Sequence, residues 1–281
     1  MALADKAILT TLRISQWTAR KLNKDESNAV ARTNGAVSGS ARVNVALLPG
    51  ADALEHIQKL AGEIRQAFYK NTAPWSDGVS ILNALGFMAF RDKMATYKTR
   101  WDSAVADFVR EYPQLVADAQ LQLGALYKPY DYPPVAEVAD KFRFQVRFLP
   151  VPEAGDWRVD LGDEEVADLR KQVEEATNEA QADAMKAVWQ RVYDVVSKAV
   201  ERLSNPDNIF KNTLVENARD LCEILPSINI TGDLTLEHIQ QELMDSLCSV
   251  DADDLRKDTT LRRVVAGQMD NIMSKMEGFF A

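Results

Sequence analysis

From Val166 to Leu203 apolar residues return at near-heptad spacing: Val166, Leu169, Val173, Ala176, Ala180, Ala184, Ala187, Val195, Ala199 and Leu203. That period fits a helix and excludes a strand, whose faces alternate at every second residue. Asp163 stands where an N-cap belongs, and Glu164 and Glu165 follow in the first turn, where carboxylates oppose the positive end of the helix dipole. About 40 residues at ~1.5 Å each make a rod of roughly 60 Å. A compact domain has no need of so long a helix, and its alanine-rich centre predicts close approach by a second helix. The rod is therefore expected to project as a hairpin with the helices of 87–125, or to form an oligomer seam.

A second helix is marked by aromatics. Phe87, Phe90, Met94, Tyr97, Trp101, Val105, Phe108 and Tyr112 recur at steps of three and four, forming an amphipathic stripe that reads as core. Pro113 is expected to interrupt it, with a further helix running to about Gly124. Residues 51–70 carry helical spacing as well, through Leu54, Ile57, Leu60, Ile64 and Phe68.

Strand signals are fewer. Residues 141–149 alternate strictly, with Phe142, Phe144, Val146 and Phe148 on one face and Lys141, Arg143, Gln145 and Arg147 on the other. Residues 7–17 are β-branched and partly alternating, and 42–48 and 79–83 read as short strands. Trp157 to Leu161 is expected to pair back as a hairpin partner. A short basic helical stretch is expected after Trp17, and Asn71–Gly78 reads as a loop. Asn205-Pro206 is expected to stop the rod and start a helix to about Leu225, followed by a loop at 226–232. Asp233 is expected to cap a helix through Leu247, and a last helix covers about 259–279.

A hydrophobic content of 46% supports a folded core and argues against disorder. No run approaches the ~18 apolar residues of a spanning helix, and residues 1–16 lack a signal-peptide pattern, so a cytoplasmic location and no membrane partner are expected. Cys222 and Cys248, the two cysteines, are expected to be free and buried rather than bonded. The net charge of −9 is unevenly spread: residues 1–150 hold 19 Lys and Arg against 15 Asp and Glu, and the remainder holds 14 against 27. Such asymmetry suits a surface for an anion and another for a basic partner; it also suits a helical half kept soluble by its carboxylates.

The patterns of catalysis are missing. His56 and His238 stand singly, and no HxH, HExxH or CxxC motif provides a zinc site. No GxxxxGK[ST], GxGxxG or GxSxG occurs, and Asn34-Gly35 to Ser38-Gly39-Ser40 reads as a mobile loop. Asp251, Asp253 and Asp254 lack the mid-loop glycine of a calcium loop and read as an acidic helix N-terminus. No metal and no cofactor is expected.

Basic residues interleaved with aromatics remain. They occur at Arg13, Trp17, Arg20, Lys21 and Lys24, at Arg91, Lys93, Lys98 and Arg100 beside Trp101, and at Lys141, Arg143 and Arg147. Phosphates need cations, and unpaired bases stack on exposed rings. The candidate nucleic-acid-binding residues are thus Arg13, Trp17, Arg20, Lys21, Lys141, Arg143 and Arg147, with the arginines on phosphate and Trp17 as a stacking ring. Against this, Phe142, Phe144 and Phe148 face away from the arginines and read as core.

The opening LRISQWTARKL (residues 12–22), the aromatic helix around 87–112, and FRFQV (142–146) followed by the long Ala-rich helix resemble a family of phage and bacterial proteins of unknown function. The resemblance lies in the order of elements across roughly residues 7–225. It implies a phage early or accessory protein, acting in the host-cell cytoplasm. Some members are encoded beside a MoxR-type AAA+ ATPase and a von Willebrand A-type partner, and others beside recombination genes. It carries over no catalytic residues.

The expected fold is α+β and mainly helical, with a small mixed or antiparallel sheet, long projecting helices and a helical C-terminal bundle. The expected division is an α+β domain at 1–162, with basic-faced strands, and a long helix with its bundle at 163–281, or one continuous domain. The leading expectation for function is a non-enzymatic phage-type accessory protein that self-assembles or docks a protein partner. The alternatives are a single-stranded nucleic-acid-binding or annealing protein using the basic sheet face, with single-stranded DNA as its partner, and an enzyme with dispersed carboxylates.

Overall fold

The computed structural model describes residues 2–156 and 163–276. In chain order its elements are β1 (Ala7–Ser15), β2 (Arg20–Asn23), α1 (Lys24–Thr33), β3 (Val43–Ala46), α2 (Asp52–Lys70), β4 (Ala73–Ser76), β5 (Val79–Asn83), α3 (Phe87–Leu123), the single turn α4 (Val135–Val138), β6 (Arg143–Leu149), α5 (Asp163–Ser204), α6 (Thr213–Ile228), α7 (Leu234–Asp245), α8 (Ala252–Lys257) and α9 (Thr259–Met276). The fold is α+β and mainly helical, as expected. A four-stranded sheet runs β4-β5-β1-β6, and β2 and β3 form a separate pair. The expected strand at 157–161 lies outside the described residues, as does the side chain of Asp163. None of the described helices is long and apolar enough to cross a membrane.

Two short strands depart from the expectation. β2 replaces the start of the basic helical stretch: Arg20 pairs with Ala46 and Asn23 with Val43, antiparallel. The helix begins only after Asn23, whose side chain accepts from the Asp25 and Glu26 amides at 3.1 Å. β4 lies within the segment read as a loop and pairs antiparallel with β5. Asp77-Gly78 closes that hairpin, with Gly78 at φ 72° where a side chain is disfavoured.

Contacts divide the chain into two compact units. Unit 1 comprises 1–11, 67–92 and 147–281; unit 2 comprises 12–66 and 93–146. The division is discontinuous because β1, α2, α3 and β6 each run from one unit into the other. The charge asymmetry follows it: unit 2 holds 15 basic and 12 acidic residues, and unit 1 holds 18 and 30.

Unit 2 is built on the aromatic stripe. Trp101, Phe108 and Tyr112 of α3 are buried with Ile57, Leu60 and Ile64 of α2, with Phe142 just before β6 and with Phe144 on it. Rings meet edge to face or tilted, Phe108 with Phe142 at 5.3 Å and Trp101 with Phe144 at 6.2 Å. Pro113 does not break α3, which continues to Leu123. Proline forfeits one amide and strains one turn; buried Phe108, Tyr112 and Ala119 hold the helix on both sides of it.

In unit 1 the second half of α5 packs with α6, α7 and α9 around Val188, Val192, Val196, Leu225, Ile239 and Met269. The helical partner of α5 is α9, which runs back along it, rather than the expected 87–125 helix. The chain between Ser204 and Thr213 is a loop, and Pro206 does not start the next helix. Pro226 lies inside α6. Asp233 caps α7 as expected, accepting from Thr235 and Leu236.

A close approach fixes the entry to α3. A Cβ built on Gly86 would lie 2.2 Å from the Ser227 Cβ and 3.0 Å from its Cα on α6. Asn83 reinforces the junction by donating to the Asn229 carbonyl at 2.9 Å. Gly86→Ala is expected to cost about 1–3 kcal/mol through overpacking. Thermal unfolding measures it, and an unchanged midpoint would mean that the end of α6 gives way freely.

Candidate functional site

The seven residues singled out by sequence do not gather into one cluster. Arg13 on β1 and Arg143 and Arg147 on β6 are exposed and lie on adjacent strands of one sheet. Their outward direction follows from the pleat. Leu12 and Ile14 on β1, like Phe142, Phe144 and Val146, turn toward the unit 2 core, so Arg13 and Arg143 take the other face. Arg147 follows Arg143 by four residues on the same strand but falls in unit 1. Among the described residues, Arg13, Arg143 and Arg147 make no ion pair.

Arg20 and Lys21 lie apart from these, on β2 of the second sheet. Lys21 is already engaged: it pairs with Asp131, whose side chain is 5% exposed, and lies 5.0 Å from the Tyr130 ring centroid. Lys141 ends a one-turn 3-10 segment just before β6. The cations beside Trp101 are largely neutralised, Arg91 by Asp92, Lys98 by Asp102 and Arg100 by Glu63.

Trp17 is a packing residue in this structure. Its half-buried ring meets Tyr112 edge to face at 5.9 Å and 71°. Tyr112 in turn donates to the Pro133 carbonyl at 2.9 Å, and Tyr132 donates to the Leu47 carbonyl at 2.8 Å. Burial foremost, then Tyr132 and Tyr127, pushes the Tyr112 hydroxyl up to about 12. Burial, then Tyr127 and Asp131, pushes Tyr132 up to about 12. Two of the seven tyrosines are therefore expected to ionise near pH 12. Their folded values exceed the ordinary 10.0, so their contribution to stability is complete below pH 10 and is lost as pH rises toward 12. An ultraviolet phenolate titration tests this; a single transition near the ordinary value would contradict it.

Phe148 departs from its neighbours. It is 36% exposed, and its ring meets Phe87 edge-on at 4.9 Å. The alternation that buries Phe142 and Phe144 thus fades at the end of the strand.

Two cavities among the described residues bring no reacting groups together. A cavity of about 290 Å³ in unit 1 is lined by Lys198, Arg202, Lys211, Phe210 and Leu214 among others. One of about 240 Å³ in unit 2 is lined by Lys21, Lys24, Lys128, Asp25 and Asp131 among others. Neither places a nucleophile against a base. Among the described residues, no three His, Cys, Asp or Glu side chains gather as a metal site. His238 instead approaches Glu242 at 3.1 Å on an exposed helix face.

One juxtaposition escaped the sequence. Cys222 on α6 and Cys248 in the 3-10 turn Leu247–Ser249 bring their sulfurs to 3.8 Å, as free thiols. Twenty-five residues separate them, and no motif spacing marks the pair.

The chain matches no family model, no curated protein and no solved structure.

Proposed function

We propose that this is a non-enzymatic, self-assembling accessory protein, of the phage type its resemblance implies, whose acidic helix α5 docks on the basic strand face of a second copy. The observation that carries the reading is the division within α5. Its buried residues are Ala184, Met185, Val188, Trp189, Val192, Val196, Ala199 and Leu203. From Glu164 to Asp183 no described side chain is buried, although Val166, Leu169, Val173 and Ala180 hold helical spacing there. A helix of that length needs tertiary packing to be stable. The same stretch carries seven acidic and two basic residues, so two such stretches repel each other. Arg13, Arg143 and Arg147 offer the opposite charge. A contact between unlike surfaces is head-to-tail and builds rings or filaments.

Light scattering after size exclusion tests this. Oligomers at micromolar concentration are expected, shrinking as salt rises. Arg143→Glu with Arg147→Glu should give monomers, and adding Glu174→Lys, Glu175→Lys and Glu179→Lys should restore assembly. A strict monomer at every salt concentration sinks the proposal.

The row of arginines, which make no ion pair among the described residues, favours one further reading, single-stranded DNA bound through phosphate. Anisotropy of a labelled oligonucleotide should then fall steeply between about 50 and 200 mM salt. Unchanged affinity in the Arg143→Glu, Arg147→Glu protein would remove this assignment.

A further inference from the structure

We propose that Cys222 and Cys248 form a redox dithiol, which hydrogen peroxide converts to an intramolecular disulfide stapling α6 to the connection between α7 and α8.

The geometry is that of two thiols held in contact rather than two that merely share a core. Their sulfurs are 3.8 Å apart. A disulfide needs about 2.05 Å, so rotation of side chains with a small shift of the short turn closes the gap. Both flanks are fixed. The Gln240 side-chain amide donates to the Cys222 carbonyl at 2.7 Å, tying α6 to α7. Arg219, one turn before Cys222, donates to the Cys248 and Val250 carbonyls, each at 2.9 Å. Leu247, next to Cys248, is fully buried and anchors the turn.

The two sulfurs differ in character. Cys222 is 4% exposed, whereas Cys248 is only partly buried. The hydrogen bond between the two sulfurs favours the Cys248 thiolate; burial opposes this, and the Arg219 guanidinium assists it. The same hydrogen bond, with burial, holds Cys222 as a protonated thiol. Metal binding is the other use of paired cysteines, but among the described residues no third His, Cys, Asp or Glu joins them.

The roles follow. The Cys248 thiolate attacks one peroxide oxygen; the O–O bond breaks, and the departing hydroxide takes a proton to leave as water. Cys248 becomes a sulfenic acid. The Cys222 sulfur then attacks the Cys248 sulfur; the S–O bond breaks, and hydroxide leaves with the Cys222 proton as a second water. Two thiols lose two electrons, and one peroxide gains them.

The test uses the full chain, reduced and then treated with a modest excess of hydrogen peroxide. After denaturation and alkylation, intact mass should show both thiols lost with a decrease of about 2 Da, the two hydrogens of a new disulfide. A non-reducing gel should show a monomer, and thiol reductant should reverse the change. In Cys222→Ser, a cyclic 1,3-dione should trap a sulfenic acid at Cys248. In Cys248→Ser, Cys222 should stay alkylatable. Should either variant misfold by circular dichroism, the wild-type mass decides. Two thiols persisting after peroxide, disulfides only between chains, or added oxygen in place of lost hydrogen would each overturn the proposal.

Discussion

Arg262→Ala is expected to cost about 3–5 kcal/mol, because several buried acceptors lose their charged donor together. Arg262 is 7% exposed at the start of α9. Its guanidinium reaches five carbonyls: Leu203 at 3.1 Å, Pro206 at 2.9 Å, Arg202 at 2.7 Å, Asn208 at 2.9 Å, and Asn205. Arg202 and Leu203 lie in the last turn of α5, where carbonyls have no partner within the helix and the dipole presents its negative end. The cation thus caps a helix from another part of the chain. It also lies 5.2 Å from the Phe210 ring centroid. Alanine would leave buried acceptors unpaired, each at a cost of about 1–3 kcal/mol where water cannot enter. Arg262→Lys should recover little, because three N–H groups on one nitrogen cannot span acceptors that the planar fork reaches from three. Urea unfolding measures both variants. A loss below about 1 kcal/mol in the alanine variant would mean that water satisfies the loop.

That arginine also explains a failed expectation. Asn205-Pro206 reads locally as the start of a helix, since proline suits a first turn. In the structure the loop is held open by Arg262 and by Arg256, which donates to the Phe210 carbonyl at 3.2 Å and is more than forty residues away in sequence. Local pattern cannot carry such a constraint. Pattern succeeded where one face repeats over many turns. The stripe from Phe90 to Tyr112 is core, and so are Phe142 and Phe144. It failed for β2, whose Arg20–Asn23 has no alternation and exists because Val43–Ala46 pairs with it. For β4 a signal was present in Asp77-Gly78, a hairpin dipeptide with apolar residues after it.

The site shows the same limit. Side-chain type and spacing identified Arg143 and Arg147 as an outward row, and strand geometry suffices for that. Whether a cation is free depends on partners distant in sequence. Lys21 is engaged by Asp131, 110 residues away, and Trp17 by Tyr112, so two of the seven candidates carry packing or pairing roles that no local reading reveals. The cysteine pair is the converse case. Nothing in the spacing of 222 and 248 signals proximity; α7 turns the chain back and brings them together.

Trp101→Ala is expected to cost about 3–5 kcal/mol, a loss confined in origin to unit 2. The indole is 1% exposed between Phe144 and the buried stripe of α3. Its removal leaves a cavity that the closely packed rings around it cannot readily fill. Trp101→Phe should cost less, because part of the volume remains. Paired with Arg262→Ala, this variant also asks whether the units unfold together. Trp75 and Trp189 report on unit 1, and Trp17 and Trp101 on unit 2. Helices α2 and α3 and strands β1 and β6 pass through both, so damage in either unit frays elements that the other needs. One cooperative transition is therefore expected, with Trp101→Ala lowering the midpoint seen by Trp189 as well. Fluorescence-monitored urea titration of two proteins retaining Trp189 alone, one carrying Trp101→Phe and the other Trp101→Ala, would read it directly. A Trp189 transition unmoved by Trp101→Ala would mean that the shared elements can melt at one end while the other stays folded.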